Sequence, residues 1–308
     1  MSLDLSILLS TSSQGLLWGI MAIGIYLMYR ILDIADLTAE GAFPLGAAIC
    51  VSLIVTFGWD PLLATVAAMF IGSLAGFVSG ILHTKLKIPA LLTGIITMTG
   101  LYTINLRIMG KGNLPLTTNA TLVSQMKQFF ETIGVNPDFA ILALGACIVT
   151  SIIVLLCLFF NTSLGLAIRA TGDNEQMSYA NGIRVDTMKI IGYMISNGLI
   201  ALSGALMAQN NGYADINMGI GTIVIGLASI IIAEVIFKNL SITKRLITII
   251  IGAIIYRFIL AMVLELGVEP SDLKFFSALL LTIALSSPLI SKKFFPKKSK
   301  TTVQRSDA

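Results

Sequence analysis

Residues 138–160, DFAILALGACIVTSIIVLLCLFF, form an apolar run whose only charged residue is the first. A helix needs about 20 mostly apolar residues to cross the hydrocarbon core of a bilayer, and this run has that length. The run is continuous rather than alternating, which favours a transmembrane helix over a strand of a transmembrane β-barrel. This stretch therefore predicts an all-α fold, a polytopic transmembrane helical bundle.

Similar apolar stretches occur along the rest of the chain. They predict about nine spans, at 14–31, 41–57, 61–82, 89–109, 138–160, 188–208, 220–237, 246–265 and 273–291. Pro61 and Pro89 stand where a helix can begin, because the N–H groups of a first turn have no helical partners. We expect residues 1–308 to form one transmembrane domain with a basic tail at 292–308.

The composition excludes several classes of protein. Hydrophobic residues make up 56% of the 308 residues and charged residues 12%, whereas about a quarter of a soluble domain is charged. A soluble globule and a disordered chain are therefore excluded, and a net charge of +4 is too small to indicate nucleic-acid binding. Cys50, Cys147 and Cys157 show no paired spacing and His83 is the only histidine, so we predict no disulfide and no metal site.

Basic residues divide unequally between the two sets of alternating loops. One set, which includes the loops at 161–187 and 238–245 and the basic tail, holds 15 lysines and arginines, and the other set holds 4. Cytoplasmic loops carry the excess of basic residues. The split predicts an N-terminus outside the cell and a C-terminus in the cytoplasm. Asp4 is the only charge before Arg30, so we expect the first span to remain as an anchor rather than be cleaved as a signal peptide.

The spans also predict an internal repeat. A shift of about 180 residues superimposes the stretch 14–109 on 188–291, and Ala35-Asp36-Leu37-Thr38 then matches Ala214-Asp215-Ile216-Asn217. The single span 138–160 links the two halves, so their orientations in the membrane are opposite. Inverted repeats of this kind are typical of transporters, whose paths lie at the repeat interface.

The loop at 161–187 contains a predicted short helix over 174–181. Asp173 is the predicted N-cap, with Gln176 as its capping-box partner, and Gly182 is the predicted left-handed residue at the C-terminal end. A helix this short is not stable alone. It packs either on the surface of its own membrane domain or on a partner protein.

Two stretches resemble a known family. The sequence TSLGLAIRATGDNE at 162–175, with ANGI at 180–183, resembles the coupling-helix loop of ABC importer permeases of the branched-chain amino acid and ribose type. The sequence GIMAIGIYLMYRILDIADLTAEGAFPLGAA at 19–48 is similar to the first-to-second-helix region of the same family. Its closest similarity is to the subgroup linked to tryptophan, tyrosine and related amino-acid uptake. The resemblance covers residues 14 to about 290.

The resemblance implies a function and a set of partners. The chain would be no enzyme but the permease subunit of an importer in the bacterial plasma membrane, forming the path for an amino acid or similar small solute. A cytoplasmic ABC ATPase dimer would bind ATP and magnesium, since this chain lacks the GxxxxGK[ST] sequence and is expected to hold no cofactor of its own. The other implied partners are an extracytoplasmic substrate-binding protein, a second permease copy (identical or a paralogue) and membrane lipid.

The resemblance also assigns the contact with the ATPase to the cytoplasmic loop. The residues expected to form the coupling helix and its surroundings are Arg169, Gly172, Asp173, Asn174, Glu175, Met177, Ala180, Gly182 and Ile183.

Polar residues in or beside the spans are candidates for the substrate path, because such residues are costly in a membrane. They are Asp36, Thr38, Glu40, Asn105, Asn197 and Arg257. The segment from Asp33 to Glu40 is either a solvated turn or a stretch that enters the bundle. Arg257 is predicted to lie about 18 Å into the membrane. It either pairs with an acid, for which Glu234 is a candidate, or acts on the substrate carboxylate or in gating.

Two further features predict packing and loop structure. Gly72, Gly76 and Gly80 form a row that lets two helices approach closely, either within the chain or between two copies. The loop at 110–137 is expected to be a plain connector or to hold a short lid or helix that docks an external protein.

An ion-coupled secondary transporter is the alternative function. An inverted repeat and membrane acids such as Glu40 and Glu234 suit that class. It does not account for the capped cytoplasmic helix.

Overall fold

The structure is a computed structural model that describes residues 5–116, 119–137, 139–238, 240–269 and 272–294. Within these ranges the chain is mainly helical, with two short strands. The helices are α1 (Leu5–Tyr26), α2 (Ala39–Phe57), α3 (Pro61–Thr84), α4 (Ala90–Met109), α5 (Leu122–Ile133), α6 (Phe139–Phe160), α7 (Ser163–Asp173), α8 (Glu175–Ala180), α9 (Val185–Asn211), α10 (Thr222–Ile236), α11 (Ile242–Glu265) and α12 (Leu273–Phe294). The strands are β1 (Asn113–Pro115) and β2 (Tyr213–Asp215).

The helical membrane fold predicted from the sequence is confirmed. In the described part of the chain, seven helices are long and apolar enough to cross a membrane. The predicted spans 220–237 and 273–291 coincide with α10 and α12, whose apolar stretches are shorter, at Thr222–Ile236 and Leu273–Ile283. Nine spans is therefore an approximate description. The 15 residues of α10 rise only about 22 Å at 1.5 Å per residue, which is less than the roughly 30 Å thickness of the hydrocarbon core.

Local sequence sets where several spans begin and end. The side chain of Asp60 accepts a hydrogen bond from the Leu62 amide at 2.9 Å, and Pro61 occupies the first position of α3. Gly58 and Gly110 end α2 and α4 with φ angles of 64° and 69°, which glycine adopts at no steric cost. The turns after α2 and α4 are therefore encoded by residues beside the apolar runs.

A π-helical turn, Leu27–Ile31, follows α1 and changes the direction of the chain. The amide of Leu32 donates to the Leu27 carbonyl at 3.1 Å, five residues back. Such wide turns are rare and occur often at functional sites. The next residues are not helical, and Asp33 has a φ of 55°. The chain then returns into the bundle before α2 begins at Ala39.

The glycine row of α3 packs against α9. A Cβ added at Gly72 would overlap the side chain of Ala201, and one added at Gly76 would overlap the backbone of Tyr193. A Cβ at Gly80 would come within 3.0 Å of the Ile190 Cα. The row therefore serves close packing of α3 on α9 within one chain, in line with the first of the two roles predicted for it.

The loops collect at two ends of the bundle. At one end, Lys85 pairs with Asp186 at 2.9 Å, Lys189 with Glu175 at 2.6 Å, and Arg30 with Glu234. At the other end, β1 and β2 form an antiparallel pair in which Asn113 lies opposite Asp215. Since α9 runs from Val185 to Asn211 between these two loop groups, the basic loops share one face of the molecule.

The loop at 110–137 contains β1 and the helix α5. Thr121 caps α5 and forms a capping box with Ser124, and Gly134 ends it with a φ of 79°. The helix predicted as one alternative for this loop is therefore present. It packs on α6.

Candidate functional site

The segment between the first two spans enters the bundle rather than forming a solvated turn. The Asp36 carboxylate accepts a hydrogen bond from the Thr38 amide at 2.9 Å and another from the Asn197 side chain at 2.9 Å. Removal from water raises the pKa of Asp36, and the hydrogen bonds from Thr38 and Asn197 oppose that shift. Three of the predicted path residues, Asp36, Thr38 and Asn197, are thus in one cluster.

A chain of hydroxyl groups continues from this cluster. The fully buried Thr38 hydroxyl lies 2.9 Å from the Ser79 hydroxyl, which donates to Thr97 at 3.0 Å. These side chains belong to three different elements. They hold the returning segment against α3 and α4.

The first turn of α2 meets the loop that precedes α10. One Glu40 carboxylate oxygen, Oε1, accepts a hydrogen bond from the Gly221 amide at 3.0 Å. A Cβ added at Gly219 would overlap the Glu40 carbonyl oxygen, so only glycine allows this approach. Two stretches that the repeat would relate by symmetry therefore touch inside the bundle.

A cleft of about 440 Å³ opens beside this contact. Its walls come from α2, α4 and the loop before α10. Its lining residues are Glu40, Gly41, Pro44, Met98, Thr99, Tyr102, Thr103, Asn105, Ile216, Asn217 and Ile220. The buried side chain of Asn105 donates to the Gly41 carbonyl at 3.3 Å. Two predicted path residues, Glu40 and Asn105, thus share the cleft.

Pairing with an acid, the first of the two alternatives predicted for Arg257, is not found among the described residues. The Arg257 guanidinium donates to the Gln14 side chain and lies 5.5 Å from the centre of the Trp18 ring, a cation–π contact. Glu234, the candidate acid, pairs with Arg30 instead. Arg257 therefore joins α11 to α1 and does not line the cleft.

The predicted short helix is present as α8, but its N-cap is wrong by one residue. Asp173 ends the preceding helix α7, and the Asn174 side chain caps α8 by accepting from the Met177 amide at 2.9 Å. Gln176 forms no capping box. Asparagine and aspartate cap equally well, and the Asn174 backbone is extended with φ −159°, as a cap requires.

The C-terminal end of α8 follows the prediction. Gly182 has a φ of 81°, and its amide donates to the Tyr179 carbonyl at 3.0 Å. The Ile183 amide donates to the Ser178 carbonyl at 3.0 Å, and the Ile183 side chain packs against the core. The left-handed glycine thus turns the chain into α9.

The predicted ATPase-contact residues occupy two environments. Met177 and Ala180 of α8 and Arg169 of α7 are exposed. Gly172 is instead packed on the π-helical turn, where a Cβ would overlap the Ile31 carbonyl oxygen and lie 2.7 Å from its carbon. Glu175 pairs with Lys189 at the start of α9. The exposed residues form a surface, and Gly172 joins that surface to the membrane part of the chain.

The comparisons with known proteins identify the family. The family model described as branched-chain amino acid transport system / permease component matches residues 7–285. The chain belongs to this permease family. No solved structure matches the permease significantly.

Three proteins are similar to this permease in sequence over most of its length. It is 44% identical to the tyrosine transport system permease protein of Clostridioides difficile, over 91% of this chain and 90% of that one. It is 33% identical to an uncharacterized protein of Rickettsia prowazekii, over 92% and 98% of the two chains. It is 26% identical to an autoinducer 2 import system permease protein of Yersinia pseudotuberculosis, over 85% and 69%. The protein is a multi-pass membrane permease of an ABC-type transport system. Two of these relatives are named as transport permeases, and the third is uncharacterized.

Sequence analysis missed one residue of the permease surface. Tyr179 is 79% exposed, more than Met177 at 66%, although it lies within the predicted short helix. The predicted ATPase-contact residues include Met177 and Ala180 but not the aromatic side chain between them. An exposed aromatic residue on a capped surface helix was the signal that could have revealed it.

Proposed function

We propose that this permease forms the membrane path of an importer for an amino acid or similar small solute, driven by a separate ATPase that binds α8. The observation that carries the proposal is the contact of α7 with the π-helical turn. It connects an exposed cytoplasmic surface to the segment that leads directly to Glu40 and the cleft. An ion-coupled transporter would have no need of this connection.

The surface formed by Met177 and Tyr179, here named the coupling surface, supports an ATPase partner. Both side chains project from a six-residue helix whose buried residue is Ser178. Helices this short depend on tertiary contacts for stability, and exposed Tyr and Met side chains are typical anchors of protein interfaces. Hydrolysis of ATP with magnesium would take place in that partner, and a binding protein would deliver the solute to the opposite face.

We propose that the halves 14–109 and 188–291 are inverted copies. The Asn217 amide donates to Asp215 at 2.7 Å, which repeats the turn in which the Thr38 amide donates to Asp36 at 2.9 Å. The helix contacts repeat as well: α3 packs on α9 as α11 packs on α1, and α2 packs on α4 as α10 packs on α12. Such repeats place the solute path where the halves meet, which is the location of the cleft.

We also propose that the N-terminus lies outside the cell and the basic loops inside. The clustering of the basic loops on one face supports this orientation. The tail residues from 295 onward lie outside the described residues. Only the basic sequence of this tail, and no structural observation on it, supports the proposed orientation.

Cysteine labelling tests the orientation. In a chain with alanine at the three native cysteines, a membrane-impermeant maleimide added to intact cells is expected to label Gln128→Cys in α5 and not Gln176→Cys in α8. Both positions are exposed in the structure. Labelling of both variants after cell lysis is the control. Labelling of Gln176→Cys alone in intact cells would contradict the orientation and the ATPase contact together.

Uptake by proteoliposomes tests the function. The permease is reconstituted with an ABC ATPase and a substrate-binding protein of the same transport system, and labelled L-tyrosine is the probe because a tyrosine permease is among its relatives. We expect uptake that requires ATP inside the liposomes and the binding protein outside. Uptake driven by a proton or sodium gradient without ATP would contradict the proposal and favour a secondary transporter.

A further inference from the structure

The cleft beside α2 is lined by one charged side chain. Glu40 is the one acidic residue among its lining residues, and no lysine, arginine or histidine lines it. Glu40 takes part in none of the ion pairs formed within the described ranges. A carboxylate in the interior of a membrane protein is costly unless a cation or hydrogen-bond donors compensate it. The Gly221 amide supplies one donor, to Oε1.

Asn105 adds an acceptor without a partner to the same cleft. Its side chain is fully buried, and its Oδ1 atom has no hydrogen-bond partner among the described residues. The amide orientation follows from the neighbouring group, because the Gly41 carbonyl can only accept and the Asn105 nitrogen must therefore face it. A buried carbonyl oxygen left without a donor indicates a ligand or water that supplies one.

Apolar and aromatic groups form most of the remaining lining, and two threonines and Asn217 complete it. Tyr102, Met98, Ile216 and Ile220 line the cleft together with Pro44. A volume of about 440 Å³ is in the range of small-molecule sites and far larger than one inorganic ion needs. The cleft therefore combines anionic and carbonyl acceptors with an apolar wall.

We propose that Glu40 and Asn105 form a subsite for the ammonium group of the transported solute, whose apolar or aromatic body lies against Tyr102 and its neighbours. This inference rests on the proposed function, because it assigns a ligand group to the proposed path. An ammonium group has three donors and no acceptor, which complements the two acceptors. Tyr102 can add a cation–π contact. The solute class is then amines and amino acids, and neutral sugars are excluded.

The first test measures ligand binding by the purified full-length permease. Its melting temperature is measured with tyramine, which has an ammonium group and no carboxylate. It is also measured with 3-(4-hydroxyphenyl)propionate, which has a carboxylate and no ammonium group. We expect a rise with tyramine and none with the propionate. Equal effects of both compounds, no effect of tyramine, or the same rise with sodium chloride alone would overturn the ammonium subsite.

Substitutions then locate the binding. Glu40→Gln keeps an oxygen that can accept the hydrogen bond from the Gly221 amide but removes the carboxylate. Asn105→Leu removes the side-chain carbonyl and keeps a similar side-chain volume. Both variants are expected to lose the tyramine response, and Glu40→Gln to lower L-tyrosine uptake about tenfold, the effect of about 1.4 kcal/mol. Glu131→Gln makes the same chemical change on the exposed helix α5 and is expected to behave like the unmodified permease.

The outcomes separate this inference from the proposed function. A permease that shows ATP-driven uptake but is unaffected by Glu40→Gln would overturn the subsite and leave the function standing. A permease that binds tyramine through Glu40 but takes up no solute with ATP would leave the subsite standing and contradict the function.

Discussion

Replacing Gly172 with valine is expected to abolish ATP-driven uptake while the ATPase still co-purifies with the permease. The new side chain would overlap the carbonyl group of Ile31, and backbone cannot move aside as the end of a flexible side chain can. Helix α7 must then shift away from the π-helical turn. Overpacking of this kind costs about 1–3 kcal/mol, enough to lower the population of the coupled arrangement about 5- to 150-fold. The coupling surface on α8 is not touched by the change and keeps its ion-pair anchor between Glu175 and Lys189.

Gly100→Val in α4 is the matched control for this experiment. It makes the same substitution where no atom lies within 4 Å of the added Cβ and where φ is not positive. We expect uptake close to that of the unmodified complex. Normal uptake by Gly172→Val would mean that the contact between α7 and the π-helical turn carries no coupling. Loss of the ATPase from that variant would mean that α7 itself forms part of the ATPase contact.

Removal of the coupling surface is expected to eliminate ATPase binding. In the double variant Met177→Ala and Tyr179→Ala, two side chains that are 66% and 79% exposed are truncated with little loss of packing in the permease. Truncation of anchor residues costs about 2–4 kcal/mol each at a protein interface. The ATPase should therefore be absent from the purified permease, and the melting temperature of the permease alone should stay the same.

Tyr213→Ala is the control on the opposite face. Tyr213 is also an exposed tyrosine, at 42%, and it lies in β2 at the other end of α9. We expect full ATPase binding by this variant. The opposite result, binding lost with Tyr213→Ala and kept in the double variant, would place the ATPase on the face predicted to be outside the cell.

The spans and the presence of a close helix contact at α3 could be predicted because each depends on residues close in sequence. Apolar length determines whether a helix crosses the bilayer, and a glycine row in α3 predicts a close helix contact wherever its partner lies. Gly182 likewise acts within its own turn. Whether Asp173 or Asn174 caps α8 depends on where α7 ends, and the sequence analysis does not predict α7. Its own cap, Thr162, accepts from the Gly165 amide at 3.3 Å.

Long-range partners could not be predicted from the sequence. Arg257 needed a partner, but Gln14 and Trp18 are more than 230 positions away on another helix, and nothing local distinguishes them from Glu234. The entry of Asp36 into the bundle depends on Asn197 and on a π-helical turn that no local pattern marks. The cleft could not be predicted for the same reason, because its acceptors, Glu40 and Asn105, come from different helices.

The glycine contacts between α3 and α9 limit how this permease can move. Helix α3 belongs to the first half of the chain and α9 to the second, and at Gly76 their backbones are too close to admit a single methyl group. Helix α1 of the first half and helix α11 of the second half also approach each other closely, because a Cβ added at Gly15 would lie only 2.8 Å from the Ile254 Cα. The halves are therefore interlocked, and neither can pivot against the other as a rigid body without breaking these contacts. We expect the interior of the chain to stay fixed during the switch between outward and inward access, so that the movement takes place where the permease contacts its partner subunits.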